Sequence, residues 1–119
     1  MKFNWQGVMP AVTTQFNSND ELDLDMFKVN IKAQLAAGVQ GIVLGGTLGE
    51  ASTLTEEEGR TLTRETVATV AGRIPVLMNI AEQTTKAAIA LAKSAKEDGA
   101  SGLMMLPPMR YKASDAEIV

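Results

Sequence analysis

Hydrophobic positions along the chain keep two different rhythms. Ile42-Val43-Leu44 and Gly102 to Leu106 are short apolar runs with no alternating polar residue. Such runs read as strands buried on both faces. Pro75 to Ile80 is a further strand, with its proline at the first position, where the missing N–H is tolerated. Elsewhere apolar residues recur every three or four positions, as on one face of a helix. Leu24, Phe27, Ile31 and Leu35 form one such stripe, and Leu62, Thr66 and Val70, with Val67 beside them, form a second. Ala87 to Ala95 makes a third, with an unusually small-faced surface. Ahead of them all, Val8 to Thr14 reads as a first strand in which Pro10 leaves one register position unpaired or bulged.

Punctuation residues sharpen these limits. Asn17 to Asp20 is a turn, Asp23 is a helix cap and Gly38 a helix stop. Thr55 with Glu58 makes a capping box, and Glu56 to Glu58 sit at the positive end of the helix dipole. Gly72 ends that helix; Thr84 or Thr85 caps the next, and Gly99 ends it. Pro107 and Pro108 close the fourth strand. Ser114 and Glu117 repeat the capping-box pattern, so a fourth helix is expected to begin there, with Val119 inside it.

Ala37-Gly38-Val39-Gln40-Gly41 and Asp98-Gly99-Ala100-Ser101-Gly102 are spaced 61 residues apart, each just before a strand. That offset is two units of roughly 30 residues, the size of a strand–helix unit. Regular alternation implies a parallel sheet with right-handed crossovers. Four strands and three complete helices fit within residues 1–119, read as a single domain. A (β/α)8 barrel needs roughly 250 residues, so the expectation is about half a barrel, truncated within the fourth helix. A small doubly wound domain is the competing fold.

The densest chemistry follows the strand at Ile42 to Leu44. Gly45, Gly46 and Gly49 come at once after it. A glycine turn there lets backbone N–H groups approach an anion, a carboxylate as well as a phosphate. The bland alternative is a tight turn without a ligand. Thr47 is a ligand hydroxyl or merely a cap of the turn. Glu50 is an acid or base, or a carboxylate that holds the turn through backbone N–H bonds. Arg110 and Tyr111 lie at a strand end, where substrate contacts occur in parallel folds. Met104 and Met105 read as packing.

Composition narrows the chemistry. Hydrophobic residues make up 45% and aromatic residues only 4%, so aliphatic side chains and methionine fill the core. The net charge of -3 argues against nucleic acid as a partner. Cysteine and histidine are both absent. Thiolate metal sites, disulfides and the usual general base are thereby excluded. No metal and no cofactor are expected. The N-terminus carries no signal pattern and no apolar run is long enough to span a bilayer, so a soluble, cytoplasmic protein is the default expectation.

Taken together, the ordered motifs resemble the N-terminal half of the dihydrodipicolinate synthase / N-acetylneuraminate lyase family. The resemblance covers essentially the whole chain. It rests on Gly7 to Thr14, Gly45-Gly46-Thr47-Leu48-Gly49-Glu50, Ser52, Leu54, Thr55 to Glu58, Gly72-Arg73-Ile74-Pro75-Val76 and Gly99 to Pro107. It implies a (β/α)8 barrel that forms a Schiff base between a lysine and a 2-oxo acid, often pyruvate. It places the substrate carboxylate against Gly46, Thr47, Leu48 and Gly49, with Thr47 also relaying protons, and Thr14 as a further substrate contact.

Two departures bear on the substrate. Leu48 replaces the second hydroxyl of the family turn, removing a hydrogen bond worth about 1.5–3 kcal/mol when charge-assisted. Pro107-Pro108-Met109-Arg110-Tyr111 stands where the synthase branch has Pro-Tyr-Tyr-Asn, with Met109 in place of the relay tyrosine. Both point to an aldolase, dehydratase or deaminase acting on another 2-oxo acid.

The family's catalytic tyrosine and Schiff-base lysine lie on strands five and six. Schiff-base chemistry needs an amine that desolvation keeps partly neutral. None of the seven lysines here sits in an apolar strand. The chain alone is therefore expected to be inactive. A non-catalytic, self-associating half-barrel and a small phosphate-binding domain are the alternatives. Homo-oligomerisation is expected because a half-barrel leaves edge strands and an inner layer uncovered.

Overall fold

The computed structural model describes residues 2–107 and 112–118. Three strands, β1 (Ile42–Leu44), β2 (Val76–Ile80) and β3 (Gly102–Met105), form a parallel sheet in that order. Ile42 pairs with Val76, Leu44 with Met78, Met78 with Leu103 and Ile80 with Met105. Helices α1 (Leu24–Ala36), α2 (Glu56–Val70) and α3 (Thr85–Glu97) alternate with the strands, and a short α4 (Asp115–Ile118) follows.

The first predicted strand is less than a strand. It lies parallel to β1 through a single bridge, Ala11 to Val43. Val12 N–H donates to the Val43 carbonyl at 3.1 Å, and Val43 N–H to the Pro10 carbonyl at 2.9 Å. Pro10 accepts but has no N–H to return, which cuts the ladder short. The half-barrel of four strands is thus built from three strands and one bridged extended segment.

Helix ends form as the caps dictate. Asp23 accepts from Met26 N–H at 3.0 Å and opens α1. The capping box of α2 is complete: Glu58 N–H donates to Thr55 Oγ1 at 3.2 Å, and Thr55 N–H to Glu58 Oε2 at 2.8 Å. Thr84, not Thr85, caps α3, accepting from Ala87 N–H at 3.1 Å. Ser114 N–H donates to Glu117 Oε2 at 2.8 Å at the start of α4. The two repeat glycines, Gly38 and Gly99, both stand just past a helix end with φ of +81° and +91°.

Alternation along the strands sends Ile42, Leu44, Val76 and Met78 to one face. There they pack with Phe27 and Ile31 of α1, Leu62 and Val70 of α2 and Ala95 of α3 in one core. All three long helices therefore cover the same face of a sheet whose strands follow chain order. A doubly wound sheet needs helices on both faces and a reversal of strand order. This arrangement is singly wound, as in a barrel wall. On the opposite face the register places Val43, Leu77, Asn79 and Met104.

Ion pairs tie the outer helices. Lys28 of α1 meets Glu65 of α2 at 2.6 Å. Arg60 of α2 meets Asp98, just past α3, at 2.8 Å, and Arg64 meets the same carboxylate at 3.3 Å.

Candidate functional site

At the C-terminal end of β1 the backbone turns sharply. Gly45 takes φ +64°, and residues 46–50 coil into two linked turns. Gly49 N–H and Ala51 N–H both donate to the Gly46 carbonyl, at 3.0 and 3.4 Å, and Glu50 N–H donates to the Thr47 carbonyl at 3.1 Å. Among the described residues, the N–H groups of Gly46, Thr47 and Leu48 make no backbone hydrogen bond. Three successive donors left unbonded after a strand are the arrangement that cradles an anion.

Behind the turn, two side chains hold it. Thr14 is buried, and its Oγ1 donates to the Gly49 carbonyl at 2.6 Å. Asn79 of β2 is buried, and its Nδ2 donates to the Gly45 carbonyl at 2.9 Å. Gly49 is tightly enclosed by backbone: a Cβ there would stand 3.1 Å from the Val12 carbonyl oxygen and 3.3 Å from Gly46 N, so a larger residue would have to push the turn aside by a few tenths of an ångström. In front, Thr47 and Leu48 make an exposed tip, Leu48 at 74%. A cleft of ≈ 630 Å³ opens there, with Gly45, Thr47, Leu54, Thr55, Met78 and Asn79 among its walls.

Sequence-derived site residues thus divide into three groups. Gly46, Thr47, Leu48 and Gly49 form one turn at the mouth of the cleft, Thr47 on its wall. Thr14 supports that turn from behind, with its hydroxyl already committed to the Gly49 carbonyl. Arg110 and Tyr111, and Met109 before them, lie outside the described residues. Glu50 is exposed, and its carboxylate makes no capping bond. It holds the turn with its backbone instead, in a left-handed conformation (φ +57°) whose carbonyl accepts from Thr53 N–H at 2.9 Å and Thr53 Oγ1 at 2.8 Å. Asn79 is the residue that sequence reading passed over. Its signal was there: one polar side chain inside the apolar run Val76 to Ile80.

No lysine stands at the turn. Lys28 is held by its hydrogen bond to Glu65, which raises its pKa and keeps it charged. Lys2, Lys32, Lys86, Lys93, Lys96 and Lys112 are exposed. Among the described residues no three Asp or Glu side chains converge as they would around a metal ion, and no helix is long and apolar enough to cross a membrane.

Comparison with known proteins places this geometry. The sequence profile of the Dihydrodipicolinate synthetase family matches residues 4–119. A 4-hydroxy-tetrahydrodipicolinate synthase of Exiguobacterium sibiricum is 40% identical over 115 residues, 97% of this chain and 39% of that protein. The crystal structure of a dihydrodipicolinate synthase from Bacillus anthracis superposes with a TM-score of 0.91 at 31% identity, over 98% of this chain and 40% of that one. YagE, an Escherichia coli prophage protein of the dihydrodipicolinic acid synthase family whose structure holds pyruvate, gives 0.86 at 31% identity, over 94% of this chain and 38% of its own. The chain spans about 40% of the length of the relatives it matches. Its strand order, its one-sided helices and its glycine turn are those of a (β/α)8 barrel wall, and the chain belongs to the dihydrodipicolinate synthetase family.

Proposed function

We propose that this chain supplies the carboxylate-holding part of a Schiff-base-forming lyase acting on pyruvate or another 2-oxo acid. The observation that carries it is the turn at residues 46–48, with three backbone N–H groups left unbonded and Thr47 on the wall of a cleft. A 2-oxo acid offers a carboxylate that fits such donors, and charge-assisted bonds of this kind are short and strong. The pyruvate in the structure of the related YagE agrees with this class of ligand. Thr47, on the cleft wall, is placed to add a hydroxyl to the carboxylate and to pass a proton. Leu48 offers an apolar side chain beside it. The reaction class is an aldol cleavage, dehydration or deamination, with the reactive amine supplied by barrel strands other than these.

Borohydride trapping tests the reading. The chain is incubated with pyruvate and reductant, alone and after co-expression with the unmatched remainder of a homologous barrel. A reduced adduct on a lysine of the completed barrel is expected, and none on the 119-residue chain. No adduct on the completed barrel with any 2-oxo acid overturns the assignment. A stoichiometric adduct on a lysine of this chain overturns the division of labour.

A second reading has its own observation. Leu103 and Met105 of β3 are 45% and 70% exposed on the face that elsewhere carries helices. A chain with that surface also fits a non-catalytic role built on self-association.

A further inference from the structure

Asn79 carries more than the turn requires. It is 4% exposed, and its two polar atoms are treated unequally. Nδ2 donates to the Gly45 carbonyl at 2.9 Å. Oδ1 is buried with no hydrogen-bond partner. Rotating the amide by half a turn does not relieve this, because it would set Oδ1 against the Gly45 carbonyl oxygen. The Gly45 carbonyl therefore fixes the orientation, and the acceptor is the atom left over. An unpartnered buried acceptor costs free energy that a leucine at the same place would not. Asn79 is also one of the residues bordering the cleft on whose wall Thr47 stands.

We propose that Asn79 is a positioning and specificity-determining residue for the ligand of this turn; the inference rests on the 2-oxo acid reading. Its amide N–H pins the Gly45 carbonyl, which fixes where the Gly46, Thr47 and Leu48 N–H groups sit. Its Oδ1 selects a ligand that brings a hydrogen-bond donor, a hydroxyl carried on the carbon chain next to the 2-oxo carboxylate. A second carboxylate is disfavoured at the same place, since acceptor would face acceptor. Because Oδ1 is shut away from water, a ligand hydroxyl reaching it displaces no existing hydrogen bond. A site built to bond a hydroxyl discriminates against the analogue that lacks one far better than an apolar wall does.

The test uses the ¹⁵N-labelled 119-residue chain and three matched acids: pyruvate, hydroxypyruvate and oxaloacetate. Backbone amide shifts of Gly46, Thr47 and Leu48 report carboxylate binding, and the Asn79 side-chain amide reports the second contact. Hydroxypyruvate is expected to bind about tenfold more tightly than pyruvate, the factor one hydrogen bond supplies, and oxaloacetate more weakly than pyruvate. Asn79→Leu is expected to bring the hydroxypyruvate-to-pyruvate ratio to about one. A purely structural Asn79 would instead scale all three affinities together and leave the ratio unmoved. The wild-type ratio decides the matter even where the variant does not fold. Equal affinity for pyruvate and hydroxypyruvate in the wild type overturns the inference and leaves the carboxylate reading standing. If none of the acids moves the turn amides, the carboxylate reading falls and the inference falls with it.

Discussion

The Thr14 hydroxyl joins two parts of the chain 35 residues apart, and it does so out of contact with water. Replacing it with valine keeps the shape and removes the donor. The Gly49 carbonyl is then left buried and unpaired, which costs about 1–3 kcal/mol. Thr14→Val is therefore expected to lower the stability measured by urea unfolding by about that amount. An unchanged midpoint would show that the Gly49 carbonyl finds another partner. Thr47 is the converse case, an exposed hydroxyl that supports nothing in the fold. Thr47→Val is expected to leave stability unchanged and to weaken pyruvate binding about tenfold, as loss of a charge-assisted hydrogen bond does; equal affinity in the two proteins would release Thr47 from any role in binding. At this scale the turn itself was legible in the sequence, because glycine density after an apolar run has few other causes. Asn79 was not. A lone asparagine in a strand says nothing of which neighbour its amide meets, and that neighbour, Gly45, lies 34 residues away, just past the end of another strand.

Among the elements, legibility followed the range of the forces involved. Helix limits came out within a residue or two because caps act over three or four positions: Thr55 and Glu58 satisfy each other locally. Thr55→Ala is expected to lose about 1 kcal/mol, seen as a lower thermal midpoint, and an undisturbed midpoint would mean that packing alone fixes the start of α2. The first strand was harder to read, since its pairing is a long-range property that Pro10 interrupts. The link between α2 and α3 was invisible in the sequence. It depends on Asp98, whose side chain is 5% exposed and which receives Arg60 and Arg64 together. Hydrogen bonding to Arg60, above all, holds the Asp98 carboxyl below its usual pKa, with Arg64 adding to it and desolvation opposing both. A carboxyl depressed in the folded state contributes stability that is fully present above its unfolded pKa, near 3.8, and is lost as pH falls through the lower folded value. Stability is therefore expected to decline from about pH 4 downward, and Asp98→Asn to flatten that decline and to lower stability at neutral pH. An acid limb of the same slope in the variant would assign the loss to other carboxylates.

For the molecule as a whole, the question is what the outer face of β3 meets. Met78 and Ile80 on β2 are buried, yet Leu103 and Met105, their register partners one strand further on, stand 45% and 70% exposed. Ile89 of α3, 50% exposed, continues the same surface, and a groove of ≈ 550 Å³ runs between them, bordered by Lys93 and Lys96. β3 is also the edge of the sheet among the described residues. An apolar face joined to an unpaired edge is the combination that drives chains together. The 119-residue chain is therefore expected to self-associate in a concentration-dependent way, measured by sedimentation velocity, and to bind a fluorescent apolar dye. Met105→Glu puts a charge at the most exposed point of this face. Little core packing is lost there, so the thermal midpoint of the dilute protein should hardly move while the sedimentation coefficient falls toward that of the monomer. Association undiminished by the charge would place the contact elsewhere, with α1 the next surface to probe, since Met26 and Val29 are 49% and 56% exposed on it. Co-expression with the remainder of a homologous barrel supplies an independent check. If the barrel's own next helix and strand take this face, the same dye should be released and the association lost together, whereas retention of both would mean that the face serves copies of this chain even when a barrel is available.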